Sequence, residues 1–315
     1  MRKALIVGIN DYASAPLKAC TNDANAIATV LETHGDGAPN FAIKLHTSPG
    51  TTLTRSSLRK AIEELFTGDS DISLFYFSGH GFVKSTGGYI VTTDFKKYDE
   101  GISMDDILKI ANSSPAKERV IILDCCHSGA LGSPSLTGME ASFLKDGMTI
   151  LTACRDSESA MEANGSSIFT ALVTDALQGG AADLRGYITP GSIYAYVDQA
   201  LGPWDQRPVF KTNVSKFTSL RNVKPPVPIA TLRKIAQYFK APQDELKLDP
   251  SFEFTEPSAN PANVTIFKDL QKFASVGLVV PVGEEYMYFA ALHSKSCRLT
   301  ALGFQYWRLV TEKKL

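Results

Sequence analysis

Excess charge of either sign, long apolar runs and a regular set of paired cysteines are all missing from this sequence. Its 32 Lys and Arg against 33 Asp and Glu leave a net charge of -1, which excludes a global attraction to nucleic acid or to an anionic membrane. No stretch approaches the roughly 20 apolar residues needed to cross a bilayer. The N-terminal "MRKALIVGINDY" is too short in its apolar part for a signal-peptide core, and Asn10 and Asp11 interrupt it. A cytoplasmic protein with no membrane partner is the expectation. The five cysteines (Cys20, Cys125, Cys126, Cys154 and Cys297) are odd in number and irregular in spacing, which excludes a disulfide framework. Yet two of the five adjoin, at the end of an apolar run and just before a histidine, in "VIILDCCHSG" from Val120 to Gly129.

What is present is enough apolar material, 44% of 315 residues, for one large domain and a smaller one. Up to about Phe217, short β-branched and aliphatic runs alternate with amphipathic segments, as βαβ construction does. "KALIVGI", "AIKLHT", "DISLFYFS", "GYIVTTD", "RVIILDCC", "MTILTAC" and "RPVFKTN" read as strands. Helical spacing appears at Asp23 to Leu31, after a Thr54 cap, in "GISMDDILKI", at about Ser167 to Leu177 and at Gly191 to Leu201. Ser103 and Asp106 have capping-box spacing. The fold class is α/β: a largely parallel sheet flanked by helices on both faces. Residues 1–221 form this domain, and 222–229, with three prolines in "NVKPPVPI", a stiff linker. Residues 230–315 form a small α+β module with helices at "ATLRKIAQYF", "IFKDLQKFASVGL" and "LTALGFQYWRLV" and a hairpin at "VVPVGEEYMYF". That order resembles a winged helix.

Strand alternation gives Asp124 and Cys126 one direction and Cys125 the other. Cys125 is then a buried apolar filler, and the same alternation turns His127 away from Cys126. Cys126 sits at the carboxyl end of a strand, where open α/β sheets build their sites. In "YFSGHG" Ser78 and His80 point together. If the two strands are neighbours, Ser78, His80, Asp124 and Cys126 converge. A cysteine and a histidine so placed act as nucleophile and proton-transfer partner, with the backbone N–H groups of Gly81 and Cys126 as oxyanion donors. A metal on Cys125, Cys126 and His127 is disfavoured, because adjacent residues do not readily share one tetrahedral ion and no Cys-x-x-Cys exists.

"YFSGHG" followed by "DCCHSG", at close to the caspase interval of about 50 residues, resembles the caspase-like cysteine peptidases of clan CD. Within them it resembles the metacaspases and prokaryotic orthocaspases. "VGINDY", "LKACTNDA", "ILTACRDSESAME", "SIFTALVTDAL" and "QRP" extend the likeness over nearly all of residues 1 to 220. The resemblance implies a Cys126/His80 dyad and cleavage of protein substrates after Arg or Lys. Asp23, Ser78 and Asp124 match the positions that hold the basic P1 side chain. Asp23 has an alternative as a helix N-cap, and Asp124 as a buried hydrogen-bonded anchor. Lys145, the basic residue between Cys126 and Thr149, is a candidate self-cleavage site.

No cofactor is expected from the sequence. Relatives that need calcium leave its dependence open, but Asp94, Asp99, Glu100, Asp105 and Asp106 lack calcium-loop spacing. The resemblance also suggests a regulated protease of a stress or antiviral-defence pathway that activates a companion protein. The alternatives are a catalytically silent caspase-fold scaffold, against which the intact Cys126 and His80 speak, and a DNA-binding regulator. Nearly balanced charge in residues 230–315, with Glu284 and Glu285 on the expected wing, favours a protein partner over nucleic acid.

Overall fold

The structure, a computed structural model, describes residues 1–85, 87–96, 101–125, 144–153, 162–163, 165–201 and 207–315. The chain divides into two compact units, Met1–Asp183 with Tyr187–Val223, and Leu184–Gly186 with Lys224–Leu315.

In the first unit the order is β1 (Arg2–Gly8), α1 (Cys20–Glu32), β2 (Ala42–Thr47), α2 (Arg55–Phe66), β3 (Ile72–Ser78), β4 (Gly81–Lys84), β5 (Gly87–Ile90), β6 (Ile102–Ser103) and α3 (Met104–Ser113). There follow β7 (Glu118–Asp124), β8 (Met148–Thr152), β9 (Glu162–Ala163), β10 (Ser166–Ser167), α4 (Ile168–Asp175), β11 (Tyr187–Ile188), α5 (Pro190–Leu201), β12 (Val209–Asn213) and β13 (Arg221–Asn222). Six strands form the main sheet in the order β12-β8-β7-β3-β1-β2. All neighbours are parallel except β12, which runs antiparallel to β8 at one edge. β3 and β7 are buried at every position, as strands covered on both faces must be. β2, at the other edge, has no fully buried position.

Alternation sorts each strand between two cores. Ala4, Ile6, Tyr76 and Ile122 pack with Ile27 of α1, Phe169 of α4 and Val197 of α5. Leu5, Val7, Phe75, Phe77 and Leu123 pack on the opposite face with Leu58 and Ile62 of α2 and Ile107 of α3. Thr54 caps α2 as its sequence position predicts, accepting the Ser57 N–H at 3.2 Å. The expected capping box at α3 does not form. Ser103 is the N-cap but makes no side-chain capping bond; it also closes the small β4-β5-β6 sheet opposite Tyr89, and Asp106 is bound instead by Arg59 Nη1 at 3.1 Å.

The second unit holds α6 (Ile229–Leu232), α7 (Ile235–Tyr238), β14 (Glu245–Lys247), α8 (Pro261–Ser275), β15 (Val279–Val282), α9 (Met287–Leu292), β16 (Ser296–Leu299) and α10 (Ala301–Thr311). Its three strands are antiparallel in the order β14-β16-β15, over a core that includes Leu232, Phe239, Phe267, Leu270, Phe273 and Cys297. Two expectations are corrected. "ATLRKIAQYF" is two short helices and not one, and the second strand of the hairpin lies at Ser296–Leu299, because "MYFAAL" is helical as α9. Met287, Ala290 and Ala291 of α9 are buried, so its apolar residues recur at helical spacing and not at the alternation of a strand.

Candidate active site

Parallel strands end at one edge of their sheet, and register sets Gly8, Ser78 and Asp124 level there. A Cβ on Gly8 would lie 2.2 Å from the Cys20 carbonyl oxygen, so only glycine lets the first turn of α1 lie against the end of β1. That close approach carries Asp23 over β3. Asp23 is not the cap of α1, which starts at Cys20 with Ala19 preceding it. Its carboxylate reaches out of its own helix instead. Oδ1 accepts from the Ser166 hydroxyl and from the Ser167 N–H at 3.1 Å, and Oδ2 accepts from Ser78 Oγ at 3.3 Å. Ser167 is the N-cap of α4, so Asp23 also faces the positive end of that helix.

Asp124 joins from β7, its Oδ2 accepting from Thr170 Oγ1 at 2.6 Å. Thr170 Oγ1 is in turn 2.6 Å from the Tyr76 hydroxyl; since threonine has one proton to give, Tyr76 donates to it. Asp23 and Asp124 are only 1% and 3% exposed. Burial holds the Tyr76 phenol neutral, its pKa far above the ordinary value, and the negative fields of Asp124 and Asp23 add to the effect. Three residues that the sequence singled out, Asp23, Ser78 and Asp124, thus lie together on the α1 and α4 side of the sheet.

His80 is placed by a different set of contacts. β3 ends at Ser78, so strand alternation stops there. Gly79 donates its N–H to the Asp124 carbonyl at 3.3 Å, tying the turn to the end of β7. A Cβ at Gly79 would lie 2.5 Å from the Tyr12 hydroxyl. That hydroxyl accepts the His80 N–H at 3.0 Å and donates to the Val91 carbonyl at 3.2 Å, while Val91 N–H donates to the His80 carbonyl at 2.9 Å. Burial raises the Tyr12 pKa, which keeps it a neutral donor. The His80 ring packs on Tyr12 with centroids 4.6 Å apart, and its Nε2 lies 2.7 Å from the Ala15 carbonyl oxygen. A carbonyl only accepts, so that contact puts the proton on Nε2 and leaves Nδ1 as the basic nitrogen.

Around His80 is a cleft of about 220 Å³, with Gly81 at its side and walls from Tyr12, Phe82, Val91 and Phe95. Sequence reasoning did not find Tyr12 or the Ala15 carbonyl. Tyr12 left a trace as the aromatic closing "VGINDY"; a backbone carbonyl leaves none. Ser166, Ser167 and Thr170 were also missed, since hydroxyls in "SSIFT" look like ordinary helix-start residues.

Cys125 is 1% exposed and packs on the α2 and α3 face, the apolar filler expected from alternation. Cys126 and His127 lie outside the described residues. Lys145 is exposed just before β8, its N–H bound by Asn112 Oδ1 at 3.1 Å. It is at the opposite end of the sheet from His80, on the order of 20 Å away by the strand rise.

Residues 1–219 match the caspase domain of peptidase family C14. The chain belongs to the caspase family. Its fold is similar to that of protein GSU0716 from Geobacter sulfurreducens, with TM-score 0.54 and 16% identity over 71% of this chain and all of the other. It is also similar to caspase-1 from Spodoptera frugiperda, with TM-score 0.52 and 13% identity over 71% of this chain and 91% of that one. No curated protein matches the sequence significantly. Membership in the caspase family points to a cysteine peptidase acting on proteins.

Among the described residues no group of three or more His, Cys, Asp and Glu is arranged to hold a metal ion. Asp94 accepts from Thr92 Oγ1 and the Arg55 N–H, and Asp99 and Glu100 lie outside the described residues. No described helix is long and apolar enough to cross a membrane.

Proposed function

We propose that this caspase-family chain is a cysteine endopeptidase that cleaves proteins after Arg or Lys, with Cys126 as nucleophile and His80 as its proton-transfer partner. The observation that carries the reading is the clamped imidazole. Tyr12, Val91 and the Ala15 carbonyl hold His80 at the end of β3 with one tautomer selected, as a general acid–base residue requires. In the first half-reaction the Cys126 thiolate attacks the scissile carbonyl carbon, and its proton rests on His80. As the C–N bond breaks, His80 passes that proton to the leaving amine. Water, deprotonated by His80, then hydrolyses the thioester and restores the thiol. The N–H groups of Gly81 and Cys126 hold the oxyanion.

Specificity for a cation is supported by the buried carboxylates of Asp23 and Asp124, with Ser78 level with Asp124 at the end of β3 and donating to Asp23. Charge-assisted contacts to a guanidinium or ammonium are the strong class of hydrogen bond. Processing at Lys145, given its distance from His80, would occur between two molecules. The C-terminal unit, whose strand order fits a winged helix, is read as a module for a regulatory protein partner, and the natural setting as activation of a companion protein in a stress or defence response. No calcium requirement is built into this reading.

The test is hydrolysis of matched fluorogenic peptides ending in Arg, Lys, Asp or Ala, with and without calcium, by wild type, Cys126→Ala and Cys125→Ala. Turnover of the Arg and Lys peptides that survives in Cys125→Ala and disappears in Cys126→Ala is expected. Turnover after Asp would sink the roles of Asp23 and Asp124.

A further inference from the structure

We infer that the apolar cleft beside His80 is a subsite for a bulky apolar side chain immediately following the scissile bond, so that the preferred cleavage sequence is Arg or Lys followed by an aromatic or large aliphatic residue. This rests on the peptidase reading above and adds to it the chemistry of the leaving side. The argument is one of sides. Asp23, Ser78 and Asp124 occupy the α1 and α4 face of the sheet, and the residue before the scissile bond is directed there by charge. His80 lies beyond the end of β3 and hands its proton to the amine that leaves, so the residue bearing that amine must lie on the His80 side. What adjoins His80 there is the cleft, whose walls include Tyr12 and Val91 from the opposite core.

The lining sets the chemistry. Phe82 and Phe95 are 38% and 44% exposed, and both border this one cleft. Its polar side chains are confined to hydroxyls, Ser14 and Thr93, apart from Tyr12 and His80, which are already engaged. No charged residue lines it among the described residues. An apolar cavity of about 150 Å³ takes a benzene ring, so about 220 Å³ accommodates a phenyl or leucyl side chain with room to spare. A charged residue there would lose water and gain no partner.

The test uses the full chain and internally quenched peptides that keep Arg before the scissile bond and place Phe, Leu, Gly, Asp or Lys after it. Phe and Leu peptides are expected to exceed the Gly peptide at least about tenfold in kcat/KM, as a filled apolar pocket gives. Asp and Lys should fall below Gly, and in Phe82→Ala the Phe-to-Gly ratio should collapse toward one. Equal turnover of the five would overturn the subsite and leave the Arg-directed peptidase standing. In parallel, calorimetry on reduced-peptide-bond analogues of Arg-Phe and Arg-Gly, which no nucleophile can cleave, reads the subsite without turnover. A tenfold affinity difference there with no cleavage of any peptide would sink the peptidase and keep the subsite; equal affinities would sink the subsite.

Discussion

Two buried carboxylate sites, one in each unit, differ in the contacts that position them. Asp23 accepts from Ser78, Ser166 and the Ser167 N–H, and Asp124 from Thr170, hydroxyl and backbone donors that fix where each carboxylate points. Asp269 in α8, 5% exposed, accepts from Lys234 Nζ at 2.7 Å and the Tyr238 hydroxyl at 2.9 Å, with Lys272 Nζ at 3.5 Å. Hydroxyl and backbone donors orient a carboxylate, whereas an ammonium orients it and answers its charge as well. The second arrangement is that of a finished structural joint; the first lies at the carboxyl end of the main sheet, where the proposed peptidase needs oriented carboxylates. The two tyrosines repeat the contrast. Tyr12 hydrogen-bonds to backbone groups around His80, and Tyr238 spends its proton on Asp269, which together with burial raises its pKa.

The largest expected break in this comparison comes from removing charge at the first site. Asp23→Asn and Asp124→Asn keep shape and lose the anion, and each should lower kcat/KM on Arg and Lys peptides by roughly 10- to 100-fold, the worth of a hydrogen bond to a charged group. A double-mutant cycle sharpens the point, since two carboxylates serving one guanidinium should be non-additive. If either substitution leaves the Arg-to-Ala preference unchanged, that residue is an anchor for its serine or threonine partners and not part of a cation site.

How far these sites were legible in the sequence follows from what kind of signal each residue emits. The central strands could be read because "LFYF" and "VIIL" are unbroken apolar runs, which mark strands buried on both faces, and Cys125 followed from alternation alone; that β3 and β7 are neighbours came only from the structure. Ser78, His80 and Asp124 were visible because they sit at fixed offsets from those strand ends. The contacts of Asp23 with Ser166 and Ser167 were not, since they join residues 143 and 144 positions apart. Nor was the clamp on His80: it is made of two carbonyls, one N–H and one phenol drawn from separate segments. The hairpin was misjudged because "EEYMYF" alternates well enough for a strand, while burial of Met287, Ala290 and Ala291 selects a helix.

A middle-sized effect is expected at the clamp. Tyr12→Phe keeps the ring under His80 and deletes the hydroxyl, leaving the His80 N–H and the Val91 carbonyl short of a partner. Unmade buried hydrogen bonds cost about 1–3 kcal/mol, to be read as a lower midpoint in urea. Turnover should fall as well, through kcat more than KM, because the histidine and not the cation site is loosened. A drop in KM-dependent binding alone would mean the hydroxyl serves substrate directly.

The smallest effect should come from the structural joint. Burial would raise the Asp269 carboxyl, but hydrogen bonds from Lys234 and Tyr238 and the charges of both lysines outweigh it and hold the pKa below the ordinary 3.8. A carboxyl whose folded pKa is depressed contributes stability that is fully present above the unfolded value and is lost as pH falls through the folded one. The C-terminal unit should therefore weaken only below about pH 4. Asp269→Asn removes that acid dependence and costs about 1 kcal/mol near neutrality, the lysines being half exposed and well screened. Catalysis on small Arg peptides should be unaffected, since Asp269 belongs to the C-terminal unit and not to the one that carries His80. Thermal unfolding of wild type and Asp269→Asn between pH 3 and pH 7, with activity assayed alongside, checks both halves. If the variant's acid dependence matches wild type, other carboxylates set the limit and the lysine contacts of Asp269 carry none of it.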